Sequence, residues 1–207
     1  MIDASWALFV VAALAVIFTP GQDTMLVLSR AVSQGPAAGV VTAAGVSLGL
    51  VGHTVLATLG LGALLRASPA FFVAFKLAGA AYLAWLGAKD LLARPAALVL
   101  AQLEARTTAR LLADGALSNL LNPYVVLFFF AFMPQFVSPQ ATAPALTIAV
   151  LGLAYAAMAF LEKAPIALFS GWLSGRLREN PAALAWVRRA SGAVLLALAI
   201  RLVAAPG

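Results

Sequence analysis

The chain has 207 residues, of which 64% are hydrophobic and 10% are charged, and its mean hydropathy is +1.03. A soluble core of this length could not bury so much apolar surface, so the composition predicts an all-α integral membrane protein. The absence of cysteine excludes disulfides, thiolate metal sites and thiol-redox chemistry, and the +6 formal charge forms no basic stripe of the kind that binds nucleic acid.

Six apolar stretches are long enough to cross a bilayer, which takes about 20 residues. They lie near residues 4–30, 36–64, 68–92, 111–137, 143–170 and 183–203. The one long polar connection, at about 93–110, could hold a short interfacial helix. We expect residues 1–207 to form a single membrane domain in contact with the lipid bilayer.

The first and fourth stretches are each interrupted by a proline with polar neighbours. The first reads "FTPGQDTM" at 18–25, and the fourth reads "LSNLLNPYVV" at 117–126. Pro20 and Pro123 are 103 residues apart, which is half the chain length. Because each half then has three spans, the second half enters the membrane from the opposite side. The pattern predicts two inverted-topology three-helix repeats, at about 1–95 and 111–207, with broken helices 1 and 4.

A proline break has consequences for binding. Proline frees carbonyl groups of the preceding turn, and in hydrocarbon these groups need protein, water or substrate as partners. The half-helix after the break also presents N–H groups that suit a carboxylate. Pro20, Gly21, Asn119, Asn122 and Pro123 are therefore candidates for binding a zwitterionic amino acid. The alternative is a pair of kinks that only shape the helices.

The distribution of Lys and Arg predicts the orientation. Nine of these residues lie in the odd-numbered connections and two on the opposite side. By the positive-inside rule, the odd-numbered connections are cytoplasmic and both termini face outward. The nine are Arg30, Lys89, Arg94, Arg106, Arg110, Arg176, Arg178, Arg188 and Arg189, and the two are Arg66 and Arg201.

Charged side chains within the spans are costly and are therefore candidates for function. Asp23 is the leading one, since it follows the first break and could hold a substrate ammonium, a proton, or each in turn. The alternative for Asp23 is a permanent salt bridge with Lys163 or Lys76. At about 1.5 Å rise per residue, Asp23, Asn122, Glu162 and Lys163 reach similar depths and could share one layer.

Three further features of the spans bear on the site. Glu162 and Lys163 are adjacent and so about 100° apart on a helix, and we expect them to face different partners, with one facing the pathway. His53 and Lys76 come out at a similar, more outward depth. His53 could relay protons, or it could simply bond to a neighbouring helix. Tyr124 directly follows the second break and could line a cavity.

The sequence also indicates what the protein does not contain. The only histidine has no Cys or second His nearby, which argues against a metal site. No nucleophile is arranged with a base, so we expect neither an enzyme nor a cofactor. Glycine pairs at four-residue spacing allow close helix packing and permit a homodimer. These pairs are Gly35 and Gly39, Gly45 and Gly49, and Gly171 and Gly175.

Three blocks of the sequence resemble the LysE/RhtB-type amino-acid exporters of bacteria. They are "TPGQDTMLVLSRAVSQGPAAGVVTAAGVSLG" at 19–49, "FKLAGAAYLAWLGAKDLL" at 75–92 and "GALSNLLNPYVVLFFFAFMPQFV" at 115–137. The resemblance implies a six-helix exporter of the bacterial inner membrane, which moves amino acids or related small metabolites outward, driven by the proton gradient.

The resemblance also assigns positions. The family's proline-glycine-proline block falls on Pro20 and Gly21, with Gln22 where a second proline is usual. Its asparagine-proline block falls on Asn122 and Pro123, with Tyr124 where a lysine is common. The basic residue before the Gly-Ala-x-Tyr-Leu run falls on Lys76. Gln22 could donate to the substrate in place of the missing proline.

Two functions of different classes follow from these features. The first is a secondary active transporter that exports amino acids, by proton antiport. The alternative is a passive channel, or a cation exporter of a related superfamily branch. A soft-metal exporter would use thiolates or several imidazoles, which this sequence lacks.

Overall fold

A computed structural model describes residues 5–67, 69–95, 98–138 and 140–204 of the chain. This part is helical and contains no β-strand. Its α-helices are α1 Trp6–Ile17, α2 Gln22–Gln34, α3 Pro36–Ala67, α4 Pro69–Leu91, α5 Thr108–Leu120, α6 Pro123–Leu127, α7 Pro144–Leu168, α8 Ser170–Glu179 and α9 Pro181–Ala204.

Both predicted breaks are confirmed. The axes of α1 and α2 differ by 53° across Pro20, and those of α5 and the segment Pro123–Phe136 differ by 55°. Gly21 is the extended residue before α2, and Asn122 is the corresponding residue before α6. The Asn122 side chain accepts a hydrogen bond from the Tyr124 N–H at 3.1 Å, so the break is capped by its own polar residue.

The chain leaves regular α-helix between the end of α6 and Phe136. A π-helical turn covers Phe128–Phe132 and a 3₁₀ turn covers Met133–Phe136. The rings of this segment pack into the core around α1 and α7, where Phe128 stacks on Tyr155 with centroids 4.6 Å apart. Phe9 of α1 meets Phe136 edge-on at 5.4 Å. These contacts bury the irregular backbone within the protein rather than against lipid.

The chain is a multi-pass membrane protein. Over the described residues, three helices are long and apolar enough to cross a bilayer, and up to five spans result if each bent pair counts as one. The three are Pro36–Gly60 of α3, α7 and α9.

The helices pack in two main groups. In one, α3 contacts α2, α5 and α7; in the other, α4 contacts α9. Within the first group, a Cβ on Gly115 of α5 would collide with the Thr42 carbonyl of α3. In the second, a Cβ on Gly87 of α4 would lie 2.9 Å from the Gly192 carbonyl of α9. Backbones therefore approach closely within each group.

The glycine pairs have different fates. Gly39, Gly45 and Gly49 face neighbouring helices closely, as predicted. An added Cβ at Gly35, or at Gly171 and Gly175 of α8, would meet no atom of the described residues within 4 Å. Four-residue spacing alone does not say whether a second helix lies opposite.

The long connection contains no helix in its described part, 93–95 and 98–107, so the suggestion of an interfacial helix there is wrong. Instead, residues from α2 bond to its backbone. Gln34 donates to the Arg106 carbonyl at 2.7 Å and accepts from the Arg106 N–H at 2.8 Å. Arg30 donates to the Glu104 carbonyl at 2.7 Å. The unpredicted short helix is α8, which follows the fifth stretch.

Candidate functional site

The main cavity lies between the two breaks and extends to the end of α4 and the start of α9. Its volume is about 570 Å³, within the range that encloses a small ligand. Among its lining residues are Thr19, Pro20, Gly21, Gln22, Asp23, Tyr82, Trp85, Lys89, Asp90, Asn119, Asn122, Pro123, Tyr124, Tyr155, Lys163 and Arg188. The two breaks, 103 residues apart in sequence, therefore meet at one site.

The Asp23 carboxylate accepts hydrogen bonds from side chains at the second break. The residue lies in the first turn of α2 and is 7% exposed. Ser118 donates to Oδ1 at 3.0 Å, and Asn119 donates to Oδ2 at 2.8 Å. Asn122 donates to Oδ2 at 3.5 Å. All three donors are neutral, so they orient the carboxylate without cancelling its charge.

The described donors on the Asp23 carboxylate are a hydroxyl and two amides, and Lys163, one of the two partners in the alternative salt bridge, is not among them. Lys163 bonds instead to Glu162, with Nζ and Oε2 3.0 Å apart. Two side chains on adjacent residues meet in this way because both have long, flexible stems. The two side chains therefore pair with each other, which their separation of about 100° on the helix did not predict.

Only Lys163 of this pair lines the cavity. The Glu162 and Lys163 side chains are each 7% exposed, so the ion pair is buried. Asp23, Asn122 and Lys163, three of the four residues predicted to share a layer, line the same cavity. Glu162 lies outside the described lining and touches the site through Lys163.

His53 lies beside the site rather than in it. Its Nε2 is 3.2 Å from the carbonyl oxygen of Asn119, and its ring packs against Phe129. Asn119 in turn donates to Asp23, so His53 is two contacts away from the carboxylate. This is the bond to a neighbouring helix that was one of the two readings of His53. Lys76 is buried and, like His53, is absent from the described lining.

Gln22 and Tyr124 both line the cavity, as the sequence suggested. The Gln22 amide donates a hydrogen bond to the Ser118 hydroxyl at 3.2 Å, and this hydroxyl in turn donates to the Asp23 carboxylate. Gln22 therefore links the first break to the second.

Sequence reasoning missed two parts of the site. Ser118, a direct donor to Asp23, stands within the quoted second break but was not singled out. The charged group Lys89, Asp90 and Arg188 was considered only for topology, or not at all. Arg188 donates twice to Asp90 Oδ1, from Nε at 3.0 Å and from Nη2 at 2.6 Å. No sequence signal joins residues 98 positions apart, so only the packing of α4 on α9 reveals this pair.

Among the described residues, His, Asp and Glu form no group of three or more that could hold a metal ion.

Comparison with known proteins gives a family match over most of the chain. The model of the family described as LysE type translocator matches residues 14–205. No solved structure matches.

Several curated proteins are similar to the chain. An uncharacterized membrane protein of Bacillus subtilis is 38% identical over 137 residues, which cover 62% of this chain and 65% of that protein. The leucine efflux protein of Klebsiella pneumoniae is 31% identical over 158 residues, covering 73% and 72%. The homoserine/homoserine lactone efflux protein of Salmonella typhimurium is 32% identical over 135 residues, covering 65% and 66%. The alignments thus span about two thirds of the relatives' length.

Proposed function

The chain belongs to the LysE type translocator family, and we propose that it is a secondary active transporter that exports amino acids or related small metabolites across the bacterial inner membrane by proton antiport. The names of two relatives, a leucine and a homoserine/homoserine lactone efflux protein, support the substrate class. The observation that carries the proposal is the Asp23 carboxylate, which lines the cavity between the two breaks and accepts hydrogen bonds from the neutral side chains of Ser118, Asn119 and Asn122.

The proposed topology is six spans in two inverted repeats, with odd-numbered connections cytoplasmic and both termini outside. Adding α4 to the two bent pairs and three long helices would give six spans, since its 23 residues reach about 35 Å at 1.5 Å per residue. The corresponding helices of the two halves pack on each other, α3 on α7 and α4 on α9. A pseudo-two-fold axis between such pairs is expected of inverted repeats.

The coupling follows from one carboxylate serving two ligands. Asp23 binds the substrate ammonium when ionised and a proton when it is neutral, so the two ligands exclude each other. Ser118, Asn119 and Asn122 keep the carboxylate at the same place in both states, because hydroxyl and amide groups bond to either form. Exchange of proton for substrate at this atom gives antiport, and His53 reaches the site only through Asn119.

Lys163 sets a second condition on the ligand. Lys163 lines the same cavity as Asp23, but its charge is paired with Glu162, so Asp23 is the acid left to bind one ammonium in this part of the cavity. A zwitterion with a neutral side chain brings one ammonium and no second positive charge. The proposed substrates are therefore neutral amino acids or their close relatives. The site is formed within one chain, so it does not require the homodimer that the glycine pairs permit.

The first experiment is a ligand screen on the purified protein by thermal shift, followed by counterflow in proteoliposomes for each hit. A neutral amino acid such as leucine should raise the melting temperature and exchange across the membrane. Asp23→Asn should abolish the exchange, while Glu179→Gln, a carboxylate at an exposed ion pair on α8, should not. A cation conductance independent of pH, with no amino acid exchange, would favour the channel or cation exporter instead.

A further inference from the structure

The cavity has a second charged end, which the proposed function does not use. Lys89 and Asp90 come from the last turn of α4, and Arg188 comes from the first turns of α9. All three line the same cavity as Asp23. The cavity wall therefore carries an acid held by neutral donors in one part and a guanidinium in another.

The ion pair in this second part is incomplete. Arg188 places both Nε and Nη2 on the same oxygen of Asp90, Oδ1. A guanidinium fork matches two oxygens of one carboxylate, with one donor on each. The side chains of Arg188 and Asp90 are 34% and 14% exposed, so an incoming ligand can reach them. A carboxylate with both oxygens available would fit the fork better than Asp90 does.

The position of Arg188 is fixed by the backbone. At the crossing of α4 and α9, a Cβ on Gly192 would lie 2.6 Å from the Gly87 carbonyl and 2.5 Å from the Leu91 nitrogen. Asp90 and Arg188 lie within about one turn of this crossing, at 3.6 residues per turn. The close packing of the two helices therefore holds the backbones of Asp90 and Arg188 near each other.

The neighbouring arginine has a different environment. Arg189 donates from Nε to the Ala93 carbonyl at 2.9 Å, and its guanidinium lies 5.6 Å from the Trp186 ring centroid. It is not among the described residues that line the cavity. Two adjacent arginines on one helix thus differ in whether they line the cavity, so Arg189 is a matched control for Arg188.

We propose that Arg188 recognises the carboxylate of the substrate, and that Asp90 is the resident counter-ion which the substrate carboxylate replaces. This rests on the proposed amino-acid export. It restricts the substrates to molecules with an unmodified carboxylate. Amino-acid amides, esters and decarboxylated amines lack the anionic carboxylate with its two equivalent oxygens, so they would leave the Arg188–Asp90 pair intact and would not be transported efficiently.

The test uses full-length protein in proteoliposomes and measures leucine counterflow in competition with unlabelled leucine, leucinamide or 3-methylbutylamine. In the wild type, leucine should compete and the other two should not. Arg188→Gln should lower leucine exchange about tenfold or more, and should remove the preference for leucine over leucinamide. Asp90→Asn should lower the concentration of leucine at half-saturation, because the competing carboxylate is gone. Arg189→Gln should retain the wild-type preference.

A charge exchange separates recognition from a structural ion pair. The double variant Arg188→Asp with Asp90→Arg restores a pair of opposite charges between α4 and α9. If the pair only holds the helices together, this variant will exchange leucine normally, and the proposal is overturned. If Arg188 binds the substrate, the variant will melt near the wild-type temperature but will not exchange leucine.

Folding failures leave the proposal testable. If Arg188→Gln does not fold, Arg188→Lys keeps the charge and loses the fork, and it should raise the half-saturation concentration of leucine several-fold. Unchanged half-saturation in a folded Arg188→Lys protein would contradict recognition by the fork. A wild type that exchanges leucine but also accepts leucinamide would overturn only this proposal, whereas a wild type that exchanges no amino acid would overturn the proposed function.

Discussion

Gly49 connects helix packing to the candidate site, so Gly49→Ala tests both. A Cβ at Gly49 would lie 2.8 Å from the Ala116 carbonyl oxygen, 2.8 Å from Asn119 Cβ and 2.9 Å from Asn119 Oδ1. Backbone and side chain of α5 must both move to admit the methyl group. Asn119 is the side chain that donates to Asp23 at 2.8 Å, so its displacement lengthens that bond.

The magnitude follows from three contributions. Overpacking a well-packed interior costs about 1–3 kcal/mol. Losing a hydrogen bond to a charged group costs about 1.5–3 kcal/mol. Replacing glycine by alanine within a helix stabilises the helix by about 1 kcal/mol, which offsets part of these costs. The net destabilisation expected for Gly49→Ala is therefore roughly 1.5–5 kcal/mol.

Two measurements check this expectation. Thermal unfolding in detergent should show a lower melting temperature for Gly49→Ala, and proteoliposomes should show weaker leucine counterflow. Gly175→Ala is the matched control, since an added methyl there meets no atom within 4 Å, and it should leave both readings unchanged or slightly raise the melting temperature. A Gly49→Ala protein with wild-type melting temperature and counterflow would refute the close packing of α3 on α5 and its link to Asp23.

Three other substitutions give separable outcomes. Asn119→Ala should weaken leucine counterflow more than Ser118→Ala, because the hydrogen bond from the Asn119 side-chain amide to Asp23 is the shorter one and Asn119 is the more buried donor. Equal effects would contradict that ranking. Glu162→Gln should lower the melting temperature, since it leaves the buried Lys163 ammonium without its counter-ion, at a cost of about 3–5 kcal/mol; an unchanged melting temperature would count against the pair. Arg30→Ala should make the 98–107 segment more susceptible to proteolysis, as Arg30 bonds to both the Glu104 carbonyl and Asp114, and a wild-type digestion pattern would show that the segment is held by other contacts.

The sequence predicted the breaks because proline acts locally. Pro20 and Pro123 interrupt their helices by removing an N–H and crowding the preceding turn, and no tertiary contact is needed to know this. Asp23 could be singled out for a similar reason, since a carboxylate within an apolar stretch is costly wherever it lies. The half-chain spacing of the two prolines then indicated that the breaks meet, and the cavity contains both.

The remaining features depend on contacts that the sequence does not encode by spacing. Glu162 and Lys163 meet because their side chains are long, although the two side chains leave the helix in directions about 100° apart. Gly171 and Gly175 have the same spacing as Gly45 and Gly49, but within the part of the chain that the structure describes, an added Cβ at either would meet no atom within 4 Å. Arg188 and Asp90 belong to one site only because α4 packs against α9. In each case the deciding fact is what lies opposite, which is a property of the assembled helices.

The central claim is that Asp23 exchanges a substrate for a proton. Proteoliposomes loaded with leucine and a pH-sensitive dye test it directly, since outward leucine flow by antiport must carry protons inward whichever way the protein is inserted. The wild type and Glu179→Gln should acidify the lumen when leucine is diluted outside, and Asp23→Asn should not. Acidification by Asp23→Asn at the wild-type rate, or leucine efflux by the wild type without any pH change, would contradict the account.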